Sequence, residues 1–94
     1  MIIVSGRIYV RLGTRQDFLT SSLEAVAQAR RSLGCRDFVM AADPIEPDRV
    51  NVYEEWESEE ALLIFRGGGP DQDLSSSIVR ADVSRHVVSS SGPA

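Results

Sequence analysis

The chain is short and acidic, and its composition excludes several classes of protein. It has 94 residues, of which 10 are basic and 14 acidic, for a net charge of −4, and every basic residue is arginine. Without lysine there is no P-loop and no Schiff-base chemistry, because both need a lysine amine. One cysteine and one histidine exclude an internal disulfide and a zinc site of the usual Cys/His type. This length predicts one domain over residues 1–94, with residues 90–94 as a tail.

Charge and hydropathy also bear on partners and location. Nucleic-acid-binding proteins need a concentrated basic surface, whereas the arginines are spread along this acidic chain. No stretch approaches the 18 apolar residues of a membrane span. No basic segment precedes the apolar run at residues 1–4, as it would in a signal peptide. We therefore expect a cytoplasmic protein with neither a nucleic-acid nor a membrane partner.

The first third of the chain predicts a strand and then a helix. Alternation over residues 2–12 indicates the strand. Its apolar face carries Ile2, Val4, Gly6, Ile8, Val10 and Leu12. Thr14 and Asp17 resemble a capping box at the start of the helix, and Gly34 is suited to the position just beyond its end. Helical spacing of apolar residues predicts about five turns, with an apolar face of Leu19, Leu23, Val26, Ala29 and Leu33.

The middle of the chain predicts a hairpin. Cys35–Ala42 has the composition of a second strand, and the two prolines and two aspartates that follow it within residues 43–48 indicate a turn. Arg49–Trp56 alternates and predicts a third strand. One face of that strand carries Val50, Val52 and Trp56, and the opposite face carries Asn51, Tyr53 and Glu55.

The last third predicts a short helix and a final strand. Ser58 is a suitable N-cap, and the apolar side of the helix consists of Ala61, Leu62 and Phe65. The run at residues 67–70, GGGP, ends this helix. Residues 71–79 are poor in core residues and predict a loop with one helical turn. Weak alternation over residues 82–89 predicts the fourth strand.

The predicted order is β-α-β-β-α-β, an α+β, ferredoxin-like arrangement with a four-stranded antiparallel sheet and both helices on one face. The other sheet face carries Ile3, Tyr9 and Tyr53, which is more apolar than a solvated face requires. Arg7, Arg11 and Glu55 are available there for pairing across a subunit boundary. We therefore expect a homodimer in which two sheets stack.

Two motifs resemble a known family. Residues 33–38, LGCRDF, resemble the PGC–F junction of antibiotic biosynthesis monooxygenase (ABM) domains, and residues 53–62, YEEWESEEAL, resemble that family's E-x-W-x-S-x-E-A-L strand-to-helix junction. The similarity extends from residue 2 to about residue 88. It implies a dimeric α/β barrel. Many members of the family oxidise quinols or aromatic polyketides with O2 and need no metal, flavin or other cofactor, some degrade haem, and others have no known activity.

The chain departs from the family pattern at two places. The family often has a histidine at the end of the second helix, which is the iron ligand of its haem-degrading branch, but residues 65–70 here are FRGGGP. The quinone-forming branch uses an Asn and a Trp on one strand face. Asn51 and Trp56 lie five residues apart and thus on opposite faces of a regular strand, and Val52 occupies the position four before Trp56. Asn51 reaches the Trp56 face only if the strand is bulged.

Three residues are candidates for catalysis, and each also has a structural interpretation. Trp56 can stack a flat substrate and donate its indole N–H to a substrate oxygen, or it can anchor the core between strand and helix. Asn51 can polarise a carbonyl or satisfy a hydrogen bond of the sheet or dimer interface. His86 can deprotonate a phenol or be a surface histidine on the last strand.

Several apolar residues near the predicted sheet–helix boundary are candidates for substrate binding or simply for the core: Phe18, Leu23, Phe38, Met40, Leu62 and Phe65. Cys35 follows a helix C-terminus, where the dipole disfavours a thiolate, so we expect an inert, buried thiol. The acidic residues between Glu54 and Glu60 are interpreted as a solvated face and helix-capping charges. The glycines at residues 67–69 suggest a rim that gates a pocket.

The hypothesis that fits best is a cofactor-independent monooxygenase that oxidises a quinol or polycyclic phenol with O2. The first alternative is a binding or structural dimer of the same fold without catalysis, which the displaced Asn51 and the missing helix histidine favour. The second alternative, haem degradation, is weakened by the same missing histidine. No metal or other cofactor is expected.

Overall fold

A computed structural model describes residues 1–67 and 75–94 and confirms the predicted fold. Four strands form one antiparallel sheet in the order β2-β3-β1-β4. The elements follow one another as β1 (Ile2–Val10), α1 (Arg15–Arg31), β2 (Cys35–Ala42), β3 (Arg49–Trp56), α2 (Glu59–Gly67), a 3-10 turn (Ser75–Ser77) and β4 (Ile78–Val87). Both strands of the predicted hairpin have the predicted bounds.

The two central strands, β1 and β3, pair in an unbroken register from Ile2 opposite Trp56 to Tyr9 opposite Arg49. This regularity separates the side chains cleanly between two faces. The helix-covered face carries the buried residues of both strands, and α1 and α2 contribute Phe18, Ala29 and Leu62 against them. The buried strand residues are Ile2, Val4 and Val10 of β1 and Val50, Val52, Glu54 and Trp56 of β3.

Helix α1 differs from its prediction in two respects. The Thr14 hydroxyl donates to the Arg11 carbonyl at 2.6 Å and does not cap the helix, so the predicted capping box with Asp17 is wrong. The buried stripe runs along Phe18, Ser22 and Ala29. Leu23 is 65% exposed and Leu33 is 94% exposed, because the helix turns them away from the sheet and the helix ends at Arg31.

Helix α2 begins as predicted. The Ala61 N–H donates to the Ser58 hydroxyl oxygen at 3.1 Å, which satisfies one of the N–H groups that a helix start leaves without a partner. Leu62 is the fully buried residue of this helix, and Ala61 and Phe65 of the same helix pack beside it. The helix ends at Gly67, and the rest of the predicted glycine-rich terminator and rim, residues 68–70, lies outside the described residues.

The bounds of β1 and β4 differ from the predicted ones. Strand β1 ends at Val10 instead of Leu12, which is 75% exposed. Strand β4 begins at Ile78, four residues earlier than predicted, because a bulge between Tyr9 and Val10 lets Ile78 pair with Val10; it ends at Val87. Of the predicted loop over residues 71–79, residues 71–74 lie outside the described part of the chain.

The opposite sheet face is not covered by a helix. Ile3, Tyr9 and Tyr53 are half-buried there. Arg7 forms an ion pair with Asp82 at 3.0 Å, so its charge is matched within its own chain, and the Arg80 guanidinium lies 4.4 Å from the centre of the Tyr9 ring. In the part of the chain that the structure describes, neither helix is long and apolar enough to cross a membrane.

Candidate functional site

Three aromatic rings meet where β3 ends beneath α2. Trp56 is fully buried. The Phe65 ring, from α2, lies with its centre 5.3 Å from that of Trp56 and is tilted by 32°, and it meets Phe38 of β2 edge to face at 5.9 Å. These separations are typical of aromatic pairs that stabilise one another. The three side chains form an aromatic cluster on the helix-covered face of the sheet.

A buried carboxylate adjoins this cluster. Glu54 is two residues before Trp56 and therefore points to the same face; it is 8% exposed. The Trp56 indole N–H donates to Oε1 of Glu54 at 2.9 Å. On the neighbouring strands, Val4 and Phe38 stand opposite Glu54, so its lateral surroundings are apolar.

The environment of Glu54 favours its neutral form. Burial raises the pKa of this carboxyl, while the Trp56 hydrogen bond and the positive charge of Arg66 on α2 partly oppose the rise. A charged group in an apolar environment loses hydration that a single donor replaces only in part. Within residues 1–67 and 75–94, no cation lies within ion-pair distance of Glu54 and no cluster of His, Cys, Asp or Glu is arranged to hold a metal ion.

A groove of about 550 Å³ lies between the segment that follows α1 and the first turns of α2. Phe65 is common to the groove and the aromatic cluster, so the groove reaches the cluster at this side chain. A concave, largely apolar site with few polar groups is the usual form of a small-molecule pocket. The apolar part of this wall consists of Leu33, Gly34, Ala61, Ile64 and Phe65, and its polar and charged part of Gln28, Ser32, Glu57, Ser58 and Glu60.

Four of the six apolar candidates for substrate binding come together at Trp56. Phe38 and Leu62 are buried with it in one core cluster, and Met40 and Phe65 pack against that cluster. Leu23 does not join them, because it lies on the outer surface of α1. Phe18 belongs to a second cluster, with Val10 and Val50. A role in binding substrate remains a prediction for the residues around Trp56.

Asn51 lies on the opposite sheet face from Trp56. The bulge that would bring it across is absent from the β1–β3 pairing. Its amide Nδ2 donates to Oδ1 of Asp43 at 2.9 Å, and its Oδ1 accepts from Nε of Arg49 at 2.7 Å. Both hydrogen-bonding ends of the side chain are therefore engaged in bracing the turn between β2 and β3.

Asp43 is the centre of that turn. Its Oδ2 accepts the backbone N–H groups of Ile45 at 3.0 Å and Glu46 at 2.8 Å, and Arg49 lies 3.5 Å from Oδ1. The Glu46 N–H, then the Asn51 amide, and to a lesser extent the Ile45 N–H and the Arg49 charge, lower the pKa of Asp43 to about 2. The turn is thus held by an ionised carboxylate.

His86 lies on the wrong side of the sheet to act as a base at Trp56, and the Cys35 thiol is unreactive. His86 pairs with Ile3 on the uncovered sheet face and is exposed, so the sheet separates it from Trp56. Cys35 is half-buried, and burial together with the nearby negative charge of Glu54 raises the pKa of its thiol. This agrees with the expectation of an unreactive thiol.

Glu54 is the residue of this site that sequence reasoning missed. It was grouped with the acidic run and expected to be solvated. Its position between Val52 and Trp56 on the apolar face of an alternating strand was the signal, because a regular strand directs alternate side chains to the same side.

Comparison with known proteins agrees with this fold. The sequence matches the model of the antibiotic biosynthesis monooxygenase family over residues 1–70. A protein from Deinococcus radiodurans, provisionally assigned as an antibiotic biosynthesis monooxygenase, superposes with a TM-score of 0.82 at 12% identity over 100% of this chain and 98% of its own. A counterpart from Nitrosomonas europaea superposes with a TM-score of 0.77 at 13% identity, over 96% of this chain and 100% of its own.

The structural neighbours also include a haem-degrading protein. MhuD of Mycobacterium tuberculosis, whose structure holds two haems in its active site, has a TM-score of 0.72 at 15% identity, covering 99% of this chain and 100% of its own. A search of curated proteins gives no match. Similarity at these identities concerns the fold alone. With the family match over most of its length, the chain belongs to the antibiotic biosynthesis monooxygenase family.

Proposed function

We propose that this protein is a cofactor-independent monooxygenase that oxidises a quinol or polycyclic phenol with O2. The observation that carries the proposal is the aromatic cluster of Trp56, Phe65 and Phe38, with Phe65 as its boundary to an open groove. A flat ring in the groove contacts Phe65, and a change of the Phe65 rotamer admits it to the face of Trp56. In that position the ring contacts the aromatic cluster, whereas Glu57 and Glu60 lie on the wall of the groove.

The reaction needs few protein groups. Loss of the hydroxyl proton gives a phenolate, which transfers one electron to O2; the phenoxyl radical and superoxide then combine at a ring carbon. Loss of the hydrogen on that carbon with cleavage of the O–O bond leaves a carbonyl, and the second oxygen atom leaves as water. The protein contributes by orienting the ring, excluding water and accepting the hydroxyl proton.

The alternative is a binding protein of the same fold. Asn51 is directed away from the groove and Trp56 is fully buried, which favours a protein that holds an aromatic ligand without oxidising it. Haem degradation is not supported, because the only histidine, His86, lies on the uncovered sheet face, remote from the groove.

An assay of oxygen consumption separates these functions. The purified protein is supplied with menadiol and with a polycyclic phenol, and oxygen uptake and quinone formation are followed with and without EDTA. Protein-dependent uptake that is insensitive to EDTA supports the monooxygenase. Quenching of Trp56 fluorescence by the same compounds without oxygen uptake supports the binding protein. Spectral titration with haem completes the comparison, and a stoichiometric haem complex would contradict the assignment of function.

We also propose that a second copy of the chain covers the uncovered sheet face and forms a homodimer. The half-buried Ile3, Tyr9 and Tyr53 on that face support this arrangement, and a sheet with one unprotected apolar face gains by pairing. Light scattering after size exclusion should give twice the chain mass of 10.3 kDa. Tyr53→Glu places a charge at the middle of the face and should shift the mass towards the monomer. A wild-type mass of 10.3 kDa at micromolar concentration would contradict the proposal.

A further inference from the structure

We infer that Glu54 is the general base of the proposed oxidation and accepts the proton of the substrate hydroxyl. This inference rests on the proposed function, since it names the residue that begins that reaction. The group identified from the sequence for this role, His86, lies on the far side of the sheet. The base has to share the face of Trp56, where the ring would bind.

Glu54 meets the geometric requirement. Its Oε1 is 2.9 Å from the Trp56 indole nitrogen, so a ring that takes the place of Phe65 against Trp56 would lie beside this carboxylate and could direct its hydroxyl to it. A carboxylate offers about four lone-pair positions on two oxygens, and one indole N–H occupies only one of them. Glu54 is therefore able to hold Trp56 and accept a second hydrogen bond at the same time.

The burial of Glu54 needs an explanation beyond structure. Removing an ionised carboxyl from water is costly unless it is paired, and a neutral acceptor would satisfy the Trp56 N–H without that cost. Among the described residues, the charged or titratable groups that face Glu54 are Arg66 from α2, which is exposed, and Cys35 from β2, whose thiol is neutral in this environment. β1 contributes the apolar Val4, and α1 contributes the apolar Ala29 and Val26 to the same core cluster.

These surroundings make Glu54 a stronger base than an exposed glutamate. Burial raises the pKa of its carboxyl, and a base whose pKa approaches the working pH removes a proton more effectively in the transition state. Above that pKa the group is ionised and ready to accept. The activity should therefore rise with pH through the raised pKa of Glu54.

The proton can be followed through the reaction. The substrate O–H bond breaks, its hydrogen bonds to the Glu54 carboxylate, and the electron pair stays on the phenolate oxygen. After the ring carbon has bound O2, the protonated Glu54 returns that hydrogen to the outer peroxide oxygen and is a carboxylate again. The ring hydrogen and the hydroxide released from the peroxide then leave together as water. No other oxidant than O2 is required.

The test compares Glu54→Gln with Glu24→Gln, the same neutralising change on the outer surface of α1, where Glu24 makes only an exposed ion pair with Arg31. Gln keeps an oxygen for the Trp56 N–H, so the fold should persist, and melting curves verify it. General-base contributions are about 10²–10⁴-fold. We expect Glu54→Gln to lower kcat/KM for the phenol at least about 100-fold and to abolish the low-pH limb of its profile. Glu24→Gln should match the wild type.

Two results would contradict the role of Glu54 without contradicting the proposed function. If the wild type oxidises the phenol and a folded Glu54→Gln variant retains kcat/KM within about threefold, the function stands and the base is another group. If Glu54→Gln does not fold, Glu54→Asp, which retains a carboxylate, takes its place: an unchanged pH profile again overturns the inference, and a shifted low-pH limb supports it.

If the wild type oxidises no phenol, the proposed function fails. A coloured phenol then tests separately whether Glu54 faces a bound hydroxyl. 4-Nitrophenol is titrated with pH while bound to the wild type and to Glu54→Gln. A carboxylate facing the bound hydroxyl disfavours the phenolate, so the bound probe should have a higher pKa in the wild type. This result supports Glu54 as the acceptor that faces a bound hydroxyl. Equal pKa values in the two proteins would overturn it.

Discussion

Two carboxyl groups of the β2–β3 hairpin have pKa values that are shifted in opposite directions. Asp43, in the turn, is surrounded by donors, and its pKa is about 2. Glu54, at the other end of β3, has one indole donor and apolar neighbours, and its pKa is raised. Both are largely shielded from solvent: the Asp43 side chain is 11% exposed, and Glu54 is 8% exposed.

The difference shows that burial alone does not decide how an acidic group titrates. Several backbone and amide donors hold Asp43 ionised in the turn. Glu54 has one indole donor, which only partly opposes the rise in pKa that burial causes. Perturbed acids of the second kind occur preferentially at functional sites. The comparison therefore assigns Asp43 to the structure of the turn, and it is consistent with our inference that Glu54 exchanges a proton.

The largest expected effect is the removal of the donor on which Glu54 depends. Trp56→Ala empties a fully buried site and should cost about 3–5 kcal/mol of unfolding free energy, a large share of the stability of a small domain. Trp56→Phe keeps most of the packing and loses the indole N–H. Thermal and urea unfolding of the two variants measure the difference.

Trp56→Phe also sharpens the comparison in function. It should lower quinol oxidation about tenfold or more, equivalent to ~1.4 kcal/mol of transition-state binding, with a much smaller fall in Tm than Trp56→Ala. Loss of the only side-chain donor that Glu54 has among the described residues should raise the pKa of this carboxyl further. Wild-type activity in Trp56→Phe would show that the indole does not contact the substrate.

The next effect concerns the turn. Asp43→Asn removes the charge and nearly preserves the shape, and it should destabilise the protein at neutral pH. The pKa of Asp43 is depressed from its ordinary 3.8 to about 2, so its stabilising contribution is complete above about pH 4 and is lost as the pH falls towards 2. Melting temperatures of wild type and variant should therefore converge over that interval. A difference that is independent of pH would contradict the assignment.

Asn51→Ala is the matched test of the same turn. It removes an amide that donates to Asp43, so the pKa of Asp43 should rise and the turn should weaken. Oxidation per dimer should be unchanged, because the side chain lies on the sheet face opposite Trp56. Loss of turnover in an intact dimer would mean that Asn51 acts at the site after all.

The smallest expected effect is a gain in stability on replacing Glu54 by Gln. Since the pKa of Glu54 is raised in the folded protein, its ionisation opposes folding, and this cost grows as the pH rises through the folded pKa. Glu54→Gln should be at least as stable as the wild type at pH 7, and the difference should disappear as the pH falls to the range in which an ordinary glutamate is protonated. A Glu54→Gln variant that is less stable at both pH values would indicate a purely structural carboxylate.

Much of the fold was predictable because strong local patterns coincide with it. The alternation of Arg49–Trp56 and the prolines and aspartates of the turn determine the hairpin, and these elements have the predicted bounds. The same alternation also assigned Asn51 and Trp56 to opposite faces. The beginning of β4 was not predictable in this way, because Ile78 joins the sheet through a bulge, whose position depends on the partner strand.

The candidate site was predictable only in part. Phe38, Leu62 and Phe65 were identified because apolar residues at a sheet–helix boundary usually pack together. Leu23 was wrongly included, since spacing defines a helical stripe but not the rotation that selects Phe18 and Ser22 as its buried centre. Glu54 was missed because a glutamate in an acidic run is usually solvated, although both its place in the alternation and its place as the first residue of the E-x-W motif distinguish it from the rest of that run.

The close approach of Gly34 to α2 limits which residues can alter the shape of the groove. Its φ is +83°, and a Cβ there would lie 2.5 Å from Cβ of Ala61, while its carbonyl accepts the Glu57 N–H at 2.7 Å. Main chain therefore meets α2 directly at this end of the groove, and no larger residue fits without moving the helix. Changes in the width of the groove are therefore expected from substitutions at exposed wall residues such as Leu33 and Ile64, and not from a side chain at residue 34.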